Sequence, residues 1–110
     1  MRRLLPTAAL TAIAVLAAGC GGSSGGKSVP TSVTDGKQIF TDAGCAACHT
    51  LAAAGAHGGG GPNLDNLKPD AAAAVQRIGH GGGGMPSFKD KLSAQQIDAV
   101  AKYIASVAGK

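Results

Sequence analysis

The last third of the chain carries the clearest pattern. Ile97, Val100, Ala101, Ile104, Val107 and Ala108 recur at helical spacing and form one apolar stripe. Ser93 with Gln96 three places on gives that helix a capping box, and Gly109 lies just past its end. A second helix is predicted from Pro69, a residue suited to the first helical position, through DAAAAVQRI to a stop at Gly79. A first helix is predicted from about Val33 to Ala43, with Thr34 or Asp35 near its start and Gly44 as its stop. No segment alternates as a half-buried strand does, so the predicted class is all-α. Two glycine runs, 58–61 and 81–84, lie between the helices.

The first twenty residues follow another logic. Met1-Arg2-Arg3 is a short basic start, and residues 4–18 are apolar or small, broken only by Pro6, Thr7 and Thr11. That run falls short of the ~20 residues a membrane span needs. It reads as the leader of an exported protein. Arg2-Arg3 lacks any further twin-arginine motif and serves as the basic end of an ordinary leader. The stretch Leu16-Ala17-Ala18-Gly19-Cys20 resembles a bacterial lipoprotein signal, which implies a lipid on Cys20 and Cys20 as the mature N-terminus. Ala17 departs from that pattern, which has leucine three places before the cysteine. An ordinary cleaved signal and an uncleaved anchor share the same composition. Residues 21–30, GGSSGGKSVP, read as a flexible linker with a root-mean-square span of about 18 Å. The expected organisation is a signal over 1–19, a tether over 20–31 and one small domain over 32–110.

Charge narrows little. The whole chain is +4, but from Cys20 onward eight Lys/Arg face six Asp and no Glu. The charges are scattered, so no nucleic-acid stripe is present. The domain poses a stability problem. With only Phe40, Phe88 and Tyr103 as aromatics and much alanine and glycine, about 75 residues make a marginal core that needs a staple.

CAACH, residues 45–49, supplies the staple. Cys-x-x-Cys-His is the attachment motif of c-type haem. Thiols three apart on a helical turn reach one edge of a porphyrin, and the adjacent imidazole of His49 is directed at the iron. A lone CxxC also signals a thioredoxin-like pair or half a zinc site. The first wants a βαβ context and the second wants more ligands, and only His57 and His80 remain as further histidines. Met85 is the sole methionine outside the leader, set between a glycine run and Pro86. A thioether suits the sixth iron position, and glycines let the backbone approach a flat group closely. His80 and His57 are the rival ligands, and a gap-filling core role is the usual one for methionine. Arg77 is a candidate partner for a haem propionate, although a cation in the last turn of a helix is also favourable in itself.

Residues 34–108 resemble a class I c-type cytochrome of the small bacterial monohaem kind. The likeness rests on Gly36, Phe40, CAACH, GPNL at 61–64, MPSF at 85–88 and Tyr103. It implies that the first and last helices cross at Gly36, Phe40 and Tyr103. It implies that the Pro62 carbonyl accepts a hydrogen bond from His49 and that Leu64 packs against the haem. The cofactor-binding set is then Cys45, Cys48, His49, Pro62, Leu64 and Met85, with His49 and Met85 on the iron. The implied function is one-electron transfer between membrane redox complexes, with no substrate turned over. Docking is expected around Ala46, Ala47 and the Met85 loop. The alternative is a haem peroxidase, or a gas or redox sensor, with a displaceable Met85. Export places the protein on the periplasmic or outer side of a membrane.

The leader reading generates the first prediction. Mass spectrometry of the native N-terminus finds a lipid on Cys20, and Cys20→Ala releases the domain from membranes. An unmodified Cys20 ends the lipoprotein reading.

Overall fold

The computed structural model describes residues 26–110, so the expected leader and Cys20 lie outside the described residues. Four α-helices follow one another: α1 (Gly36–Asp42), α2 (Leu64–Leu67), α3 (Ala71–His80) and α4 (Ala94–Val107). Each begins at a side-chain cap. Asp35 accepts from the Gln38 N–H at 2.9 Å, Asn63 from Asn66 at 3.3 Å and Asp70 from Ala73 at 2.7 Å. Ser93 and Gln96 form the reciprocal capping box at 3.1 and 2.9 Å. Such caps contribute about 1 kcal/mol each by satisfying N–H groups that a helix start leaves open.

Among the elements themselves, the structure departs from the sequence expectation in four places. α1 starts at Gly36 and not near Val33, because Asp35 takes the cap. Pro69 stands one residue before the Asp70 cap and outside the helix, and α3 runs through Gly79 to His80 before Gly81 ends it at φ 70°. α2, one turn long, was too short to leave a periodic signal. A small antiparallel hairpin joins β1 (Thr50–Leu51) to β2 (Ala56–His57), pairing Thr50 with His57 and Leu51 with Ala56. Two-residue strands are below the length at which alternation can be read.

The core lies where α1 and α3 pack on α4. Ile39, Phe40, Leu51, Val100 and Ala101 are fully buried there. Gly36 is the contact point between α1 and α4. A Cβ on it would lie 2.5 Å from the Ala99 carbonyl oxygen and 2.6 Å from Tyr103 Cβ. One turn on, Phe40 meets Tyr103 edge to face, with ring centroids 6.3 Å apart. The Tyr103 hydroxyl is buried without a hydrogen-bond partner among the described residues, and desolvation raises its pKa, with Asp35 adding to the rise.

Part of the expected linker is packed. Val29 is buried in the core cluster, the Lys27 N–H donates to the Ala43 carbonyl at 3.2 Å, and Gln96 Nε2 donates to Pro30 O at 2.8 Å. An apolar side chain with a core to enter overrides the Gly/Ser character of its neighbours. The ordered domain therefore reaches back past residue 31.

Gly36→Ala is expected to destabilise the fold. Alanine gains helix propensity of less than ~1 kcal/mol at this first helical position, while the new methyl meets a backbone carbonyl that cannot step aside. The clash wins by about 1–2 kcal/mol, measured as a lowered urea midpoint. An unchanged or raised midpoint would mean that the two helices can separate freely.

Candidate haem site

Gly44, at φ 86°, turns the chain out of α1 and into a short 3₁₀ turn over Cys45–Ala47. The turn is closed by Ala47 N–H to Gly44 O at 3.1 Å, Cys48 N–H to Cys45 O at 3.2 Å and His49 N–H to Cys45 O at 3.0 Å. Both thiols are free, with Cys45 half-buried and Cys48 exposed. The Cys45 thiol is pushed up to about 11. Burial is the largest cause, a backbone hydrogen bond opposes it, and Cys48 adds to it. A thiol held neutral in this way is a poor exchange nucleophile. Among the described residues no three His, Cys, Asp or Glu side chains converge on a metal position. The zinc reading therefore lacks its further ligands.

The glycine run after β2 wraps this turn. Gly58 N–H donates to His49 O at 3.1 Å, Thr50 Oγ1 donates to Gly58 O at 3.0 Å, and Gly61 N–H donates to Cys48 O at 2.7 Å. Contact is backbone on backbone. A Cβ at Gly58 would lie 2.6 Å from the Cys48 carbonyl carbon, and one at Gly61 would lie 2.9 Å from His49 Cε1. Four consecutive glycines mark a loop in the sequence, but nothing in the sequence names the backbone they approach.

That wrapping delivers Pro62 to His49. The Pro62 carbonyl oxygen is 2.8 Å from His49 Nδ1. A carbonyl only accepts, so Nδ1 carries the proton and Nε2 keeps its lone pair. The ring is thus fixed in the tautomer that a metal needs. Asn63 bridges to Thr50, and Leu64 enters the core at 7% exposure.

Met85 belongs to a separate segment. Gly82 and Met85 exchange two backbone hydrogen bonds, at 2.9 and 3.0 Å, around Gly83 and Gly84. Both of these have positive φ, 59° and 90°, the signature of a type I′ turn. Two bonds then pin the segment to α3: Phe88 N–H to Ile78 O at 2.9 Å and Ser87 Oγ to Gly79 O at 2.6 Å. Met85 is half-buried and packs on the core. Arg77, a candidate for a propionate, lies along this turn, with Nη1 3.5 Å from the Gly81 carbonyl. His57 and His80 are both exposed.

Two free thiols on one turn, next to an imidazole with its Nε2 lone pair held available, form a donor set that fits haem c. The arrangement defines a c-type cytochrome domain. The profile of the family described as "Cytochrome C oxidase, cbb3-type, subunit III" matches residues 31–104. The chain belongs to the cytochrome c family. It is 35% identical over 89 residues to cytochrome c6 of Microcystis aeruginosa, which spans 69% of this chain and 98% of that protein. It is 40% identical over 88 residues to the cbb3-type cytochrome c oxidase subunit CcoP of Rhodobacter capsulatus, covering 69% of this chain but only 29% of that larger protein. Among solved structures, the c-type cytochrome SorU from Sinorhizobium meliloti is 46% identical, with a TM-score of 0.63 over 68% of this chain and 88% of that one. The fold is the class I cytochrome c fold, and the chain carries one haem c through Cys45 and Cys48.

Asp65 is a site residue that sequence reading missed. Its carboxylate accepts from Gly109 N–H at 2.8 Å and from Ala52 N–H at 2.9 Å. It thereby ties the segment after Leu64 to the chain's end and to the hairpin. Those bonds, Gly109's first, hold its pKa below the usual carboxylate value. A depressed carboxylate contributes stability above its unfolded pKa of about 3.9 and loses it as pH falls through the folded value. Asp65→Ala is therefore expected to be less stable than wild type at pH 7. That gap should hold down to about pH 4 and close below it. Urea unfolding across the range measures it, and a gap that stays constant to pH 2 would show that the carboxylate charge is not what matters.

Proposed function

We infer that this protein is a one-electron carrier whose haem iron is held by His49 and Met85. The observation that carries the reading is the hydrogen bond from His49 Nδ1 to Pro62 O at 2.8 Å. It orients the imidazole and raises its basicity as a ligand. When bound, the haem supplies exchange of one electron between ferrous and ferric iron. The protein's task is to hold both sides still. On one side the CAACH turn, the glycine run and Pro62 fix His49. On the other, the Gly82–Met85 pair and its two anchors to α3 fix a soft sulfur ligand. With both positions filled by protein, no substrate site is left on the iron.

The relatives support this reading, since cytochromes c6 and a subunit of a cbb3-type oxidase align over most of the domain. Membrane redox complexes are the fitting donor and acceptor. The short face of Ala46 and Ala47, half-buried and exposed, together with the Met85 loop, is the proposed place of contact. Weak, small interfaces suit such encounters. A lipid on Cys20 would raise the local concentration near membrane partners. An enzymatic reading would need an acid–base group beside the iron. The imidazoles of His57 and His80 are exposed and make no hydrogen bond among the described residues.

Ferric protein is expected to show the weak long-wavelength sulfur-to-iron charge-transfer band, and Met85→Ala to lose it. Met85→His should stay six-coordinate with its midpoint potential lowered on the order of 200 mV, because imidazole favours ferric iron more than a thioether does. A band that persists in Met85→Ala rules this residue out. Coordination lost only on His80→Ala would make the haem bis-histidine.

A further inference from the structure

The segment 26–30 runs between the two stretches of chain that carry the iron ligands of the proposed His49/Met85 site. At one end Gly26 lies flat on the Phe88 ring, so close that any Cβ would collide with Phe88 Cε1 and Cζ. Phe88 is three residues from Met85, is buried, and its own N–H bonds to α3. The Lys27 N–H then donates to the Ala43 carbonyl at 3.2 Å, two residues before Cys45. Val29 enters the core, and the strap closes on α4 at Gln96.

Gln96 is the one polar side chain buried in the core among the described residues, at 1% exposure. Both amide N–H groups and one lone pair of the amide oxygen are used. Nε2 donates to Pro30 O at 2.8 Å and to Val33 O at 2.9 Å, while Oε1 accepts from Ser93 N–H at 2.9 Å. The capping box needs only Oε1, which a glutamate at this position would also provide. The two donors are surplus to the helix. One goes to Pro30 at the end of the strap and the other to Val33 just beyond it, and burying an amide without such partners is costly.

We propose that residues 26–30, locked by Gln96, are a positioning strap that presses the Met85 loop toward the CAACH half of the domain and so keeps Met85 on the iron. Gln96 and Gly26 are positioning residues, acting through Pro30 and Phe88. The proposal rests on Met85 being the sixth ligand. The tether then does more than hold the domain near a surface, because its root is part of the redox site.

The test uses haem-loaded, full-length protein and titrates the ferric form with imidazole, which competes with Met85. Gln96→Glu keeps the helix cap but sets a carboxylate against two carbonyls. Gly26→Val pushes the strap off Phe88 without disturbing any buried polar group, and it serves if Gln96→Glu does not fold. Ser93→Ala weakens α4 without touching the strap and controls for general loss of stability. Both strap variants are expected to bind imidazole about tenfold or more tightly than wild type, with the charge-transfer band weakened at equal haem content. Ser93→Ala should match wild type. Wild-type affinity in the strap variants, or an equal rise in Ser93→Ala, overturns the proposal. Met85→Ala separates this from failure of the ligand reading. If it binds imidazole no more tightly than wild type does, Met85 is not the ligand, and the strap proposal falls with it.

Discussion

The hydrogen bond from His49 to the Pro62 carbonyl joins two stretches of chain that have almost no regular structure of their own. One imidazole nitrogen must keep its proton and donate it in a hydrogen bond so that the other can keep a lone pair. Much of the surrounding detail follows from that requirement. The carbonyl comes from the main chain thirteen positions on, so the twelve residues between must loop out and return. The two-residue hairpin starts the return, the glycines at 58 and 61 let it pass directly over the CAACH backbone, and the Asn63 cap starts α2 as soon as the carbonyl is in place. Asp65 then ties the arrangement to the hairpin and to the chain's end.

The helices solve a different problem. Three aromatic side chains and a set of small aliphatics cannot fill much volume. The structure economises by bringing backbones together. Gly36 sits against the main chain of α4, so Phe40 and Tyr103 meet across a narrow gap, and Ile39 and Val100 reach full burial with modest side chains. Tyr103 leaves its hydroxyl without a partner among the described residues in this tight crossing, a cost the polar end of the ring bears for the packing of its body.

Much of this was legible in the residues. α4 was visible almost to its ends, because its stripe is regular and its cap is a sequence signature. The haem attachment was legible because five adjacent residues carry chemistry that few other arrangements need. What stayed hidden depends on contacts between distant positions. Asp65 looks like a helix-start acid until Gly109, forty-four residues away, is seen to donate to it. Gln96 reads as half of a capping box, and its second role appears only when Pro30 and Val33 arrive beside it. Val29, one apolar residue in a Gly/Ser stretch, could not announce that it enters a core built by helices far along the chain. The start of α1 was misplaced because Thr34 and Asp35 are both competent caps, and only the backbone decides between them.

The two glycines at the tip of the Met85 turn differ from those that wrap the CAACH loop. Among the described residues nothing lies within 4 Å of where a Cβ on Gly83 or Gly84 would sit. Space does not require glycine there. Handedness does, because both residues hold φ values that ordinary side chains of the natural chirality avoid. A D-alanine at either position would fit the turn unstrained, with its methyl group in solvent. The grip on the sulfur-bearing segment is thus set by the mirror-image geometry of two achiral residues, and not by anything those residues touch.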